Sequence, residues 1–177
     1  LENLKKWFKF KYEIIYFYNV YGPKQISLGS MATVIGIFEN CFKKKKFLPV
    51  VKPGTQTRRF THIDDTVEVC YEAWKKNKCS HYSISFRKGY SILQIAKMFD
   101  SPIKYLPERP GERYSSALTK MHLSNNVINR FGKKDIKKYQ KENVLVGKTK
   151  ILEDALQKYK NIIIPLQNEI KSINNEN

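Results

Sequence analysis

The chain has 177 residues, of which 41% are hydrophobic and 13% aromatic, so it is long enough to form one core or part of a larger domain. Its formal net charge is +17, and only six of its 33 basic residues are arginine. No stretch reaches the about 18 consecutive apolar residues of a membrane helix, and residues 1–20 do not form a signal peptide, so the sequence argues against a membrane protein and predicts a cytoplasmic one.

The first part of the chain is predicted to alternate helix and strand. Residues 1–11 have the apolar spacing of an amphipathic helix, and the apolar run 12–17 indicates a buried strand. After a loop, Ser30 is expected to cap a helix that runs to about Phe42. The basic run Lys43–Lys46 suits the C-terminal end of that helix, where cations meet the negative end of its dipole.

The rest of the chain continues the same alternation as far as about residue 141. Strands are predicted over 47–51 and 58–63, and Asp64 or Asp65 is expected to cap a helix to about Trp74. The later predicted elements are a strand over 81–85, a helix over 92–99 capped by Ser91, a strand over 103–106, and helices over 123–131, 135–140 and 150–160. A polar tail predicted to be disordered follows. Strands alternating with helices predict an α/β fold.

The positive charge has two interpretations. A basic face would favour contacts to nucleic-acid phosphates. The lysines are scattered, however, apart from Lys43–Lys46 and Lys133–Lys141, and their abundance beside asparagine and isoleucine is typical of an AT-rich coding sequence. The sequence therefore favours an anionic small molecule, such as a sugar nucleotide, and makes a nucleic-acid partner the weaker alternative.

The cysteines do not form a recognisable metal or disulfide pattern. Cys41, Cys70 and Cys79 are widely spaced and odd in number, which fits reduced thiols. Cys79 and His81 are close in sequence, but no second pair has the spacing of metal ligands. We therefore expect free thiols and no metal site.

Three polar segments lie in loops at predicted strand ends, where open α/β folds bind ligands. They are the turn around Asn19, the segment 54–65 and the loop Arg109–Arg113. Four of the six arginines lie in the last two segments, and arginine is suited to bidentate phosphate contacts. A single surface arginine is more often a salt-bridge partner, so the prediction of a phosphate site depends on the joint pattern.

The same three segments, in this order and spacing, resemble the C-terminal half of the extended short-chain dehydrogenase/reductase family, the NAD-dependent nucleotide-sugar epimerases and dehydratases. That family has a strand ending in Asn-Val-Tyr-Gly-Pro, a Gly-x-Gln-x-Arg-Asp-Phe-x-x-Val-Asp-Asp segment and an Arg-Pro-Gly-Asp/Glu loop. The resemblance covers about residues 1–140. It implies an α/β fold that is the C-terminal substrate-binding part of a Rossmann-type epimerase without the N-terminal dinucleotide-binding half.

The resemblance implies that five positions contact the diphosphate of the substrate. Asn19 would donate a hydrogen bond to the sugar-diphosphate part. Ser30 and Met31 would open a helix that contacts the diphosphate. Arg58 and Arg109 would clamp it from two sides. Arg59 stands where the family usually has Asp, which changes the local charge of this segment.

The resemblance also implies contacts to the rest of the substrate. Glu112 would accept hydrogen bonds from the ribose of the nucleotide. Val50 and Val51 match the strand that flanks the base, and Phe60 matches an aromatic position beside the substrate. These motifs do not distinguish a UDP-sugar from a dTDP-sugar, nor an epimerase from a dehydratase.

NAD is the cofactor that the resemblance implies for the intact enzyme. Phe17 and Tyr18 match the strand end that passes the nicotinamide. The family holds the pyrophosphate with a Gly-x-x-Gly-x-x-Gly turn, whereas the eight glycines of this chain are separated. The catalytic Tyr and Lys would precede Leu1, so the chain alone is expected neither to bind NAD tightly nor to turn over substrate.

The resemblance, together with the change in sequence pattern near residue 141, predicts three regions. Residues 1–22 would end a Rossmann domain, 23–141 would bind the nucleotide-sugar, and 142–177 would be an atypical helical or disordered tail. The predicted function is the substrate-binding portion of an NAD-dependent epimerase or 4,6-dehydratase, homodimeric as the intact enzyme and present here as a fragment or split product. A non-catalytic nucleotide-sugar or anion-binding module is the alternative.

Overall fold

The structure, a computed structural model, describes residues 1–108, 110 and 127–175, and divides the chain into two compact units, 1–140 and 141–177. Helices and strands alternate along the first unit, which confirms the predicted α/β class. In chain order the elements are α1 (Glu2–Phe8), β1 (Ile14–Phe17), β2 (Val20–Tyr21), α2 (Val34–Lys43), β3 (Leu48–Val51), β4 (Thr57–Arg59), β5 (Thr61–His62), α3 (Ile63–Lys76), β6 (His81–Ser85), β7 (Gly89–Ser91), α4 (Ile92–Lys97), β8 (Ile103–Leu106), β9 (Val127–Phe131) and α5 (Ile136–Asn175).

A parallel sheet organises the first unit. Among the described strands its order is β1-β6-β9, with Phe17 opposite Ile84 and Ser85 opposite Phe131. The central strand β6 is buried from Tyr82 to Ser85, as expected for a parallel strand covered on both faces. Helix α3 packs on this strand, and their apolar cluster consists of Val69, Ala73, Tyr82 and Ile84, with Ile15 against it.

Three two-stranded pairs extend the first unit beyond that sheet. β2 pairs with β5 and β3 with β8, both parallel, whereas β4 and β7 are antiparallel. The single strand predicted over 58–63 is therefore two short strands in different sheets, separated by the buried Phe60. The chain changes partner there because β4 and β5 each pair with a strand distant in sequence.

A carboxylate anchors the start of the central sheet. The two oxygens of Glu13 accept hydrogen bonds from the backbone N–H groups of Lys78, Cys79 (2.9 Å) and Ser80 (2.8 Å), which lead into β6. Successive N–H groups form a concavity suited to an anion. Because Glu13 directly precedes β1, this contact holds the beginnings of β1 and β6 together.

Two of the predicted helix caps are wrong, and one is confirmed. Helix α2 begins after Thr33, whose Oγ1 accepts from the Gly36 N–H at 3.0 Å, so Ser30 lies outside the helix. The cap of α3 is His62 instead of Asp64 or Asp65. Ser91 caps α4 as predicted, and a capping box with Gln94 completes that helix start.

Two further predictions differ from the structure. The part of the predicted helix 123–131 that the structure describes is strand β9, because Val127–Phe131 supplies the backbone partners of β6. Helix α5 continues to Asn175 with Pro165 inside it, whereas the sequence predicted a helix over 150–160 and disorder beyond. Proline removes one backbone hydrogen bond, and the helix nevertheless continues through it.

A glycine holds the loop between β3 and β4 against the start of α4. Gly54 has φ 78°, and its carbonyl accepts a hydrogen bond of 2.9 Å from the Leu93 N–H at the start of α4. A Cβ at this position would lie 2.9 Å from Val50 Cγ1 and 3.3 Å from Leu93 Cβ. The site therefore requires glycine for both its backbone conformation and its close packing.

We expect Gly54→Ala to lower the free energy of unfolding by about 2 to 4 kcal/mol, because left-handed strain adds to overpacking. Gly29→Ala is the matched control, since Gly29 has φ 82° and no heavy atom within 4 Å of a built Cβ. That variant should lose only about 1 to 2 kcal/mol. Urea unfolding measures both, and equal losses would contradict the packing argument.

A histidine caps α3 in its neutral form. Nδ1 of the buried His62 accepts the Asp64 N–H at 3.1 Å, which places the ring proton on Nε2. Burial lowers the pKa of His62, and the positive charge of Lys134 lowers it further, against the opposing effect of the Asp64 carboxylate. Protonation at Nδ1 would remove the cap.

The stability of the protein should therefore decrease in mild acid. The unfolded chain takes up the His62 proton at a pKa of about 6.5, above that of the folded state, so the free energy of unfolding falls as the pH drops through this range. His62→Asn retains a capping side chain without a titrating ring. Urea midpoints between about pH 7.5 and 5 should change less in this variant. The half-buried Glu39, whose pKa is raised by partial burial, is present in both proteins and does not affect the comparison. An unchanged pH dependence would contradict the argument.

Candidate functional site

The turn around Asn19 connects two sheets of the first unit. Asn19 has φ 39°, a left-handed conformation that asparagine tolerates better than most residues. Its side-chain Nδ2 donates to the Arg59 carbonyl at 3.0 Å, and its own carbonyl accepts the Thr61 N–H at 3.3 Å. The first and second predicted segments therefore meet directly, through contacts on either side of Phe60.

The arginines of the second segment lie on the antiparallel pair β4–β7. Arg58 is opposite Tyr90 and Arg59 is opposite Gly89. The Arg58 side chain is half-buried, and its Nη1 donates to the Thr57 carbonyl at 2.8 Å. Arg58 therefore directly precedes Arg59, whose carbonyl accepts the hydrogen bond from Asn19.

The predicted base-flanking strand forms the next part of the region. Val50 is fully buried and Val51 is half-buried. Val51 lies opposite Leu106, and the Lys52 N–H donates to the Leu106 carbonyl at 3.0 Å. The carboxyl ends of β3 and β8 are thus adjacent, so the third predicted loop begins beside the end of β3.

Two of the predicted contacts of that loop, Arg109 and Glu112, lie outside the residues that the structure describes.

Three other predicted contacts have positions that differ from the expectation. Phe60 is 2% exposed and lies in the interior. Ser30 and Met31 form an exposed turn, closed by the Ala32 N–H donating to the Gly29 carbonyl at 3.2 Å, and precede α2 instead of opening it.

The predicted nicotinamide contacts lie at the carboxyl end of β1. Phe17 is the last residue of the strand, with 54% of its surface exposed, and Tyr18 is half-buried. The strand is at an edge of the described sheet, beside β6. An exposed aromatic ring at this point can offer an apolar surface to a flat ring system.

A group of contacting polar rings, the buried Tyr21 and His62 and the half-buried Tyr139, was not predicted from the sequence. Tyr21 donates to the Lys134 carbonyl at 3.0 Å, and its ring lies edge-on to those of His62 and Tyr139, at centroid distances of 5.2 and 5.1 Å. Burial raises the pKa of Tyr21, so its hydroxyl remains protonated. Tyr21 follows the Asn19 turn two residues later in the chain, and the sequence signal for this group is the run of aromatic residues before Gly22.

A second buried hydroxyl fixes the start of α5. Tyr90 donates to the two carboxylate oxygens of Asp135, at 2.9 and 3.0 Å. Burial, together with this bond to a carboxylate, raises the pKa of Tyr90 to about 12. Because Tyr90 is opposite Arg58 in the β4–β7 pair, the contact links the arginine strand to the end of the first unit.

The described residues contain neither a candidate metal site nor a candidate membrane-spanning helix. Within the ranges that the structure describes, no group of three His, Cys, Asp or Glu side chains could hold a metal ion. Cys41, Cys70 and Cys79 are free. None of the helices in this part of the chain is both long and apolar enough to cross a membrane.

Comparison with known sequences points to one family. Residues 1–85 match the model of the NAD dependent epimerase/dehydratase family. A dTDP-L-rhamnose 4-epimerase from Burkholderia thailandensis is 32% identical over 82 residues, which make up 45% of this chain and 23% of that protein. The chain thus matches less than a quarter of this curated relative.

Solved structures with the same fold include sugar-nucleotide epimerases. A UDP-glucose 4-epimerase from Thermotoga maritima, determined with UDP-glucose, has a TM-score of 0.69 at 23% identity, over 85% of this chain and 50% of that one. A UDP-N-acetylglucosamine 4-epimerase from Methanobrevibacter ruminantium has a TM-score of 0.69 at 19% identity, over 81% and 48%. The chain spans about half the length of these proteins. Residues 1–85 thus match the NAD-dependent epimerase/dehydratase family, and the described fold is similar to that of these sugar-nucleotide epimerases.

Proposed function

We propose that residues 1–140 form the nucleotide-sugar-binding part of an NAD-dependent epimerase or 4,6-dehydratase. The observation that carries the proposal is the hydrogen bond from Asn19 to the Arg59 carbonyl. It joins the Asn-Val-Tyr-Gly-Pro turn to the arginine strand, and both segments belong to the pattern that the family shares. The relative from Thermotoga maritima was determined with UDP-glucose, which supports this class of ligand.

Arg58 is the proposed diphosphate contact on the described side of the site. Its half-buried position on β4 would restrict the side chain, and a guanidinium can bind two phosphate oxygens at once. Asn19 would add an amide contact from the neighbouring turn. Arg109 and Glu112 are the proposed contacts that follow β8 in the sequence, and the end of β8 lies beside Lys52, whose N–H donates to the Leu106 carbonyl.

The nucleoside and cofactor contacts follow from the same placement. Val51, half-buried at the carboxyl end of β3, would contact the base, while Val50 beneath it keeps the strand in the core. Phe17 and Tyr18 would hold the nicotinamide ring of NAD against the apolar surface at the end of β1, and the cofactor would supply hydride transfer. Residues 1–22 would then end the dinucleotide-binding domain. The boundary between the two compact units lies one residue before the predicted limit of the substrate domain.

The first test is the affinity for nucleotides. We expect isothermal titration of the full chain to detect binding of UDP, dTDP or UDP-glucose, and Arg58→Ala to weaken it by about 10- to 100-fold, because one charged hydrogen-bonding group is lost. Lys75→Ala is the matched control, since it removes one positive charge from the exposed surface of α3.

Equal effects of the two variants would contradict a specific clamp. Tight binding of DNA that persists at ~150 mM salt, without nucleotide binding, would instead support the nucleic-acid alternative, because non-specific phosphate contacts weaken steeply with salt. Nucleotide binding without turnover after addition of NAD and a UDP-sugar would fit a binding module as well as an incomplete enzyme.

The second test separates the side chain of Asn19 from its backbone conformation. Asn19→Gly keeps the left-handed turn and removes the amide, so we expect nucleotide affinity to fall several-fold with a stability loss of about 1 kcal/mol. Asn19→Ala should lose a further 1 to 2 kcal/mol or so, because alanine does not favour this conformation. Titration and urea unfolding measure the two effects, and unchanged affinity of Asn19→Gly would contradict the proposed contact.

A further inference from the structure

The second unit carries a regular apolar repeat along α5. From residue 145 onward, apolar side chains recur at alternating spacings of four and three residues, which is the heptad pattern of a coiled coil. Thr149 is the one polar member of the repeat up to Ile170. The apolar members are Leu145, Leu152, Leu156, Tyr159, Ile163, Leu166 and Ile170.

These side chains are exposed in the single chain. Their exposed fractions range from 43% for Ile163 to 70% for Leu152. A helix gains most of its stability by packing an apolar face, and an isolated helix in water is marginal. The repeat between Leu145 and Ile170 extends about 38 Å at 1.5 Å per residue, long enough for a stable two-helix interface.

We propose that residues 141–175 of α5 pair with the same segment of a second copy of this chain as a parallel two-stranded coiled coil. The residue types at the a and d positions of the heptad favour pairing with a second copy of the same helix. The a positions are Thr149, Leu156, Ile163 and Ile170, and the d positions are Leu145, Leu152, Tyr159 and Leu166. β-Branched residues at most a positions with leucine at most d positions favour a parallel pair of helices over larger bundles.

Charge complementarity supports the same arrangement. In a parallel pair in register, a g residue of one helix faces the e residue of the next heptad on the other. Lys148 occupies g and Glu153 occupies the following e, so two symmetric ion pairs would flank the core. Residues 141–177 contain six lysines and five carboxylates, so two copies of this helix repel each other little despite the strongly basic chain.

The proline of α5 is compatible with the interface. Pro165 falls at a c position, on the outer side of the heptad, between Ile163 at a and Leu166 at d. Its ring would therefore face solvent. The inference is independent of the nucleotide site, because the heptad lies entirely outside the first unit.

Sedimentation equilibrium of the full chain tests the inference. We expect a mass twice the 20.9 kDa of one copy, and a monomer for the double variant Leu156→Asp, Ile163→Asp, which puts charge into two a positions. Gln157→Asp with Asn168→Asp is the matched control, since the same change at b and f positions should leave the dimer intact. A monomeric natural chain, or a dimer that survives the core variant, would overturn the proposal.

Orientation and charge pairing have their own tests. With Cys41, Cys70 and Cys79 replaced by serine, Leu156→Cys should form a disulfide between copies under mild oxidation only if the helices are parallel and in register. Lys148→Glu should weaken dimerisation several-fold, and adding Glu153→Lys should restore it. Crosslinking only between Leu145→Cys and Ile170→Cys chains would indicate antiparallel helices and overturn the proposal. Nucleotide affinity should be unchanged in the core variant, so this inference and the proposed function fail separately.

Discussion

The arrangement of the candidate site depends on the left-handed turn at Asn19 and on the hydrogen bond that its side chain makes. It takes the chain from the parallel sheet into the β2–β5 pair, and its amide binds the Arg59 carbonyl. Both strands of the second segment are therefore placed relative to the end of β1. The rings of Tyr21, His62 and Tyr139 pack edge-on against one another, and Tyr21 follows the turn directly in β2.

The two units reach stability by different means. Residues 1–140 bury a core around β6 and α3 and hold their loops with specific contacts, such as the Glu13 carboxylate on three successive N–H groups. The helix of residues 141–175 instead exposes a regular apolar face. A nucleotide site can therefore depend on one unit while association between copies depends on the other, and each can be altered without the other.

Several elements were predictable because their signals are local. The strands β6 and β8 match their predicted limits, since each is a short run of strand-forming residues between strong turn signals. Helix α4 follows from Ser91 and Gln94, which form the capping box within four residues. The position of Asn19 after the end of β1 was also evident, whereas Arg58 lies in the middle of β4, and the contact between their two segments could not be recognised from the sequence.

Local patterns thus account for the α/β alternation and the family motifs, because each depends on neighbours a few residues apart. Long-range pairing decided the remainder. Val127–Phe131 became a strand because β6 had backbone groups to pair on that side, and Phe60 turned inward where the chain passes from β4 to β5. His62 became a cap because the pairing of β5 with β2 ends there. Such outcomes depend on residues tens of positions away, which no local periodicity encodes.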